Sequence, residues 1–188
     1  MTFKGFNLSS TMISALSHLG YNEPTKVQSG VIPKALRGDS LLAQSETGSG
    51  KTHAFLIPLI EKIDMHLDRP QAIVISPTRE LARQTYEFAM QFSRFFNGFK
   101  VRLFTSEADV TDNLEGKNVP PQLIIGTPGR LQDILVDRHA FYLGNVKRVV
   151  LDEADMITSS AQFALRRVIE KYPNSEVAYY NLGLIFVE

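Results

Sequence analysis

Five short, mainly apolar stretches recur along the chain with helical or polar segments between them: Leu41-Leu42-Ala43, the continuous run Ala72-Ile73-Val74-Ile75, Val101 to Phe104, Leu123-Ile124-Ile125 and Arg148 to Leu151. Runs without polar alternation belong to strands buried on both faces. Strands separated by helices specify a parallel sheet covered on both sides, with right-handed crossovers. The segments between the runs carry helix punctuation. Ser9 or Ser10 can cap a helix that places Met12, Ile13, Leu16 and Leu19 on one face, closed by Gly20. A second helix starts at Thr25, continues through Val27, Val31 and Ile32 and stops near Gly38. Further helices are expected from about Lys51 to Lys62, from Pro77-Thr78 to about Phe96, and from Thr127-Pro128-Gly129 through Leu135. Ser106 to Gln122 is polar and reads as a loop.

In such sheets the working residues gather at the carboxyl ends of the strands. Here those ends are followed by Ser45, Pro77, Thr127 and Asp152. The first of them opens Ser45-Glu46-Thr47-Gly48-Ser49-Gly50-Lys51-Thr52, which matches the phosphate-binding pattern GxxxxGKS/T except that Ser45 replaces the first glycine. Gly48 and Gly50 would let backbone N–H groups turn inward around phosphates, at the positive end of the following helix. Lys51 would reach the outer phosphates, and the Thr52 hydroxyl would coordinate magnesium. Asp152 and Glu153 follow an apolar strand, where a triphosphatase needs its acidic element. Asp152 would hold magnesium directly or through water, and Glu153 would orient and deprotonate the attacking water.

Composition narrows the setting. Lys plus Arg and Asp plus Glu number 20 each, so the formal net charge is zero and no general attraction to nucleic acid is expected. Any nucleic-acid binding must come from particular donors at particular points. Cysteine is absent, which excludes disulfides and thiolate metal sites. No apolar run reaches the roughly 18 to 20 residues of a membrane span, and Met1-Thr2-Phe3-Lys4 lacks the apolar core of a signal peptide. A soluble cytoplasmic protein is expected.

Asp152-Glu153-Ala154-Asp155 spells the signature of the DEAD-box RNA helicases, and other motifs of that family occur in order. Gly20-Tyr21-Asn22-Glu23-Pro24-Thr25-Lys26-Val27-Gln28 resembles its adenine-recognition segment, with Phe3 at the family's usual spacing for an aromatic near the base. Pro77-Thr78-Arg79-Glu80-Leu81-Ala82 and Thr127-Pro128-Gly129-Arg130 resemble its two RNA-backbone motifs. The resemblance covers residues 3 to about 157, with a bacterial flavour. It implies a RecA-like first helicase domain that binds ATP with Mg2+ and grips the RNA sugar-phosphate backbone without reading sequence. It also implies a second RecA-like domain in the complete enzyme, which supplies arginines to the transferring phosphate. A chain with the first domain alone should hydrolyse ATP slowly and unwind nothing.

The residues themselves leave alternatives. A glutamine amide at Gln28 matches the adenine edge, yet Thr25-x-x-Gln28 is also a capping box, and the two roles are compatible. Thr78 and Thr127 sit at helix starts, where hydroxyl and N–H groups can grip phosphates. Arg79 and Arg130 add charge there, or pair with Glu80 and Asp133. Phe3 serves a core as readily as a base platform.

Two departures from the family stand out. Its paired glycines are replaced by Ser106-Glu107-Ala108-Asp109, and its Ser-Ala-Thr motif is absent. The strand bearing that motif lies, in related ATPases, between the loop-bearing strand and the Asp152 strand, so a gap in the sheet is expected. The tail, 158–188, carries Ala161, Leu165, Val168 and Pro173, then Tyr179, Leu182, Gly183 and Phe186, at tetratricopeptide-repeat spacing. It resembles a helix pair of such a repeat, appended to the α/β domain and able to meet a protein partner. The alternatives are an ordinary helical hairpin, or a gap-filling strand at Leu184-Ile185-Phe186-Val187. The rival to the helicase reading is a chimeric or truncated nucleotide- and partner-binding module without catalysis.

Overall fold

The computed structural model describes residues 2–46, 48–105 and 119–156, together with the backbone of 176–180. After a 3-10 turn at Phe3–Phe6 come α1 (Ser10–His18), α2 (Lys26–Arg37), β1 (Leu42–Ala43), α3 (Lys51–Glu61), β2 (Ala72–Ile75), α4 (Arg79–Ser93) and β3 (Val101–Phe104). Then follow β4 (Leu123–Gly126), α5 (Pro128–Leu131) running into a π-helical turn (Gln132–Asp137), β5 (Arg148–Leu151) and β6 (Glu176–Tyr180). The six strands form one sheet in the order β1-β6-β5-β2-β4-β3, and every pairing is parallel.

Strand pleating explains why the apolar runs are continuous. Successive side chains point to opposite faces. Ala72, Val74, Leu123, Ile125 and Val150 join one core cluster, which also holds Phe55, Leu56 and Ile57 of α3 and Phe92 of α4. Ile73, Ile75, Ile124, Val149 and Leu151 join the other, with Leu131, Ile134 and Leu135. β2, β4 and β5 each feed both cores, so neither parity of their buried residues is polar. Helix α3 is buried from His53 through Ile60, as a helix apolar on all sides must be.

The tail corrects one expectation. Residues 176–180 are not helical: they form β6, in register with Leu42–Ala43 on one side and Arg148–Leu151 on the other. The physical cause is the slot itself. β1 and β5 do not pair with each other, and each offers an open parallel edge whose N–H and C=O groups need partners. The gap-filling strand is thus at 176–180. Leu184–Val187, the proposed tetratricopeptide positions other than Tyr179, and Ser106–Asp109 lie outside the described residues. The helix expected through Leu135 runs as α5 and then widens into the π-helical turn: Arg138 N–H donates to Asp133 C=O at 2.8 Å, five residues back. No helix among the described residues is long and apolar enough to cross a membrane.

Candidate functional site

The loop between β1 and α3 is shaped by two glycines with left-handed backbones, Gly48 at φ 80° and Gly50 at φ 93°. Gly50 is also a close-approach point. A Cβ there would lie 2.5 Å from Gln28 Nε2 and 3.2 Å from Thr25 Oγ1. Thr25 and Gln28 form the capping box of α2: Thr25 N–H donates to Gln28 Oε1 at 3.0 Å, and Gln28 N–H donates to Thr25 Oγ1 at 3.4 Å. Gln28 Nε2 donates to Gly50 C=O at 3.1 Å, so this buried amide stitches α2 to the loop. Its acceptor oxygen serves the helix end.

Lys51 reaches back across the loop. Its Nζ donates to Ser45 C=O at 3.0 Å and pairs with Glu153 Oε1 at 3.0 Å. Ser45 Oγ and Ser49 Oγ are 2.8 Å apart. Gly48, Gly50, Lys51 and Thr52 line a cleft of about 290 Å3 with Asp152 and Glu153 from the end of β5. Glu46 is exposed at the loop's edge, and Thr47 lies outside the described residues. Asp152 is held by its N–H on Ile75 C=O at 2.9 Å. Its carboxyl is pushed up to about 6, first by burial and then by the charge of Glu153, against a smaller opposing pull from Lys51. Glu153 has a left-handed backbone at φ 47°, a conformation that non-glycine residues adopt at a cost and that gathers at functional sites.

Neither the glycine pattern nor the acids announced the far wall of the cleft. Tyr21, His53 and, from α4, Leu81, Gln84 and Phe88 line it. The His53 ring centroid is 4.4 Å from Tyr21 and 4.6 Å from Phe88. Burial drives its pKa down to about 4, so the ring is neutral at ordinary pH. The spacing Leu81, Gln84, Phe88 on one helical face was the available signal.

Phe3, the aromatic expected near the base, lies against the core. It is 4% exposed, packed edge-on against Phe6 at 5.9 Å, and belongs to the core.

The remaining predicted residues form a second group. β2 and β4 are neighbours, and Ser76 N–H donates to Gly126 C=O at 3.0 Å, so Pro77–Arg79 and Thr127–Arg130 leave the same sheet edge side by side. Thr78 caps α4, its Oγ1 accepting from Leu81 N–H at 3.2 Å. Arg79 is exposed, and no ion pair joins it to Glu80 among the described residues. Thr127 is half-buried, Pro128 buried and Gly129 exposed. Arg130 differs from Arg79: its side chain is 10% exposed and its Nη1 pairs with Asp133 Oδ2. None of this second group lines the cleft.

The profile of the DEAD/DEAH box helicases matches residues 25–180. The chain belongs to that family. The match runs past residue 157 to the last residue of β6, so the DEAD/DEAH domain in this chain includes the gap-filling strand. Among curated relatives, the DEAD-box ATP-dependent RNA helicase CshB of Staphylococcus aureus is 43% identical over 155 residues, 82% of this chain and 34% of the relative. CshB of Bacillus subtilis is 38% identical over 157 residues, 82% of this chain and 36% of the relative. The chain therefore spans about a third of the length of these relatives. S. cerevisiae Dbp5, solved with RNA and ADP BeF3, superposes with TM-score 0.88 at 28% identity over 98% of this chain and 47% of its own. A DEAD box protein of Methanococcus jannaschii gives TM-score 0.88 at 29% identity, over 98% of this chain and 51% of that one. The fold is thus the α/β, RecA-like domain of DEAD-box helicases.

Proposed function

We propose that this chain is the ATP-binding, RNA-backbone-binding domain of an ATP-dependent RNA helicase, working with a second RecA-like domain. The observation that carries the reading is the position of Lys51. Its ammonium is suspended between a loop carbonyl and Glu153, at the mouth of a cleft walled by the glycine loop and two carboxyls. A phosphate oxygen is a better acceptor for that ammonium than Ser45 C=O, because the charge-assisted bond is stronger. Binding would exchange one for the other. Gly48 and Gly50 would turn N–H groups to the phosphates, with Ser45, Glu46, Thr47 and Ser49 completing the loop, and Thr25 and Gln28 would bring α2 to the nucleotide side.

Magnesium suits the donors present. No cluster of three or more His, Cys, Asp or Glu occurs among the described residues, which disfavours an all-protein cage. Mg2+ is instead commonly held by one or two side chains plus substrate phosphates and water. Thr52 and Asp152 line the cleft for that purpose, and the desolvated Asp152 carboxyl is a group that a nearby cation would return to its charged form. When bound, the ion would neutralise charge on the phosphates. Glu153 would accept the proton of the attacking water as its oxygen bonds to the γ-phosphorus and the bond to the β–γ bridging oxygen breaks, leaving ADP and phosphate.

Pro77, Thr78, Arg79, Thr127, Pro128 and Gly129 would meet the RNA backbone at the β2–β4 edge. Contacts to phosphate and sugar fix position without reading sequence. The test is calorimetry of ATP and ADP with Mg2+: saturable binding to the wild-type chain, lost in Lys51→Ala, is expected. The isolated chain should show no ATP-driven duplex unwinding. Absence of saturable nucleotide binding to a chain that unfolds cooperatively would refute the reading.

A further inference from the structure

We infer that Arg138 is an RNA-phosphate contact that the π-helical turn presents, and that Arg130 is the buried strut of that turn. The inference rests on the proposed RNA-backbone surface and extends it. The turn Gln132–Asp137 has five-residue hydrogen bonding, with Arg138 N–H on Asp133 C=O at 2.8 Å. An α-helix brings residues three and four apart onto one face, whereas a π-turn brings residues five apart together. Asp133 and Arg138 are five apart, and their side chains meet: Arg138 Nε donates to Asp133 Oδ1 at 2.8 Å.

Asp133 thus serves two arginines with its two oxygens. Oδ2 takes Nη1 of Arg130, which is 10% exposed, and Oδ1 takes Nε of Arg138, which is 51% exposed. The bond through Nε fixes the plane of the Arg138 guanidinium. Nη1 and Nη2 of Arg138 have no partner among the described residues. A planar fork held from behind, with both terminal amino groups open, is the geometry that takes two phosphate oxygens at once. It stands one carboxylate away from Arg130, the last residue of the segment already read as an RNA-backbone motif. In a chain with no net charge, such fixed single cations must supply the phosphate affinity. Asp137, also on this turn, accepts from Gln132 Nε2 at 3.5 Å. The ligand class is the phosphodiester of single-stranded RNA.

Anisotropy of a fluorescein-labelled single-stranded oligouridylate, titrated with the chain over a range of salt, tests this. Arg138→Gln should weaken binding several-fold and reduce the slope of log K against log salt by about 0.7, one phosphate's worth on a single strand. Arg138→Lys should keep the slope while losing part of the affinity. The melting temperature and ADP affinity of both variants should stay close to wild type, since Arg138 is half exposed and pairs of this kind contribute little to stability. RNA binding lost in Arg79→Gln but unchanged in Arg138→Gln overturns this assignment and leaves the RNA-surface reading standing. No RNA binding by the wild-type chain overturns both.

Discussion

The cleft beneath Lys51 and the turn around Asp133 both sit at carboxyl ends of parallel strands, and both hold a cation against a carboxylate. They differ in what holds the pair together. Arg130 and Asp133 are three residues apart, so the turn alone sets their distance. Lys51 and Glu153 come from the ends of β1 and β5, which are not neighbours: β6 runs between them. Two strand spacings, roughly 10 Å, separate the ends of β1 and β5, and the glycine loop and the long lysine together close the difference. A site read from local sequence can therefore depend on a strand more than twenty residues further along, whereas the turn depends on almost nothing outside itself.

The harshest way to break the comparison is at β6. Proline at Ala178 removes a ladder N–H in a strand that is paired on both sides, where proline is essentially never found. Ala178→Pro should cost ~3 kcal/mol or more and lower the melting temperature by roughly 10 °C. Nucleotide affinity should fall with it, while the Arg138-dependent part of RNA binding survives in whatever fraction stays folded. Circular dichroism melts and calorimetry on one sample decide it. An unchanged melt with unchanged ADP affinity would mean that β6 does not bridge the site.

Next in size is the cleft's own cation. Lys51→Ala removes the phosphate partner and leaves Glu153 partly buried beside Asp152 without it. Losing a desolvated charge pair between Lys51 and the phosphates costs about 3 kcal/mol of binding, so ATP affinity should drop on the order of a hundredfold. RNA affinity of the nucleotide-free chain should stay within about twofold of wild type, because neither Arg79 nor the Asp133 turn touches the cleft. A parallel loss of both would show the two regions to be one.

The two loop glycines sharpen the contrast between strain and packing. Both have positive φ, but a Cβ at Gly48 meets nothing within 4 Å among the described residues, while one at Gly50 would collide with Gln28 Nε2. Gly48→Ala should cost only backbone strain, roughly 1 kcal/mol. Gly50→Ala should cost about twice that and also break the Gln28 stitch to α2. Urea melts of the pair measure the difference; equal costs would mean that the stitch contributes nothing.

What was legible in the sequence follows the same division. The strands Ala72–Ile75, Leu123–Gly126 and Arg148–Leu151, the glycine loop and the acids after β5 were readable because each is written in a few consecutive residues. Gln28 was readable as a capping box for the same reason. Phe3 was not, since whether a terminal aromatic enters the core depends on Phe6 and the helices around it. His53 was hidden because its partners, Tyr21 and Phe88, lie 32 and 35 positions away in the chain. The tail shows the limit most clearly. Its apolar spacing suited a helix, but at 176–180 two open sheet edges decided for a strand, and no local pattern records an edge built by β1 and β5.

The smallest expected effect is a near-cancellation of two pH dependences inside the cleft. His53 has its pKa lowered to about 4 in the folded chain, so the unfolded chain binds its proton first. That term removes stability as pH falls from about 6.5 to 4. Asp152 has its pKa raised to about 6, so the folded chain binds its proton first, and that term adds stability as pH falls from 6 towards 4. Between about 4 and 6 the two slopes oppose each other, and the pair should contribute almost nothing to the wild-type profile. Each variant should unmask the other. Asp152→Asn should gain up to about 3 kcal/mol over wild type at pH 7 and nothing near pH 4. His53→Phe should show the reverse, matching wild type at pH 7 in its ionisation term and gaining progressively as pH falls below about 6.5. Urea denaturation across this range resolves both, without magnesium, because a cation at Asp152 would return its carboxyl to the charged form and erase the first difference. Parallel profiles for wild type and both variants would mean that neither group is as desolvated as the walls of the cleft require.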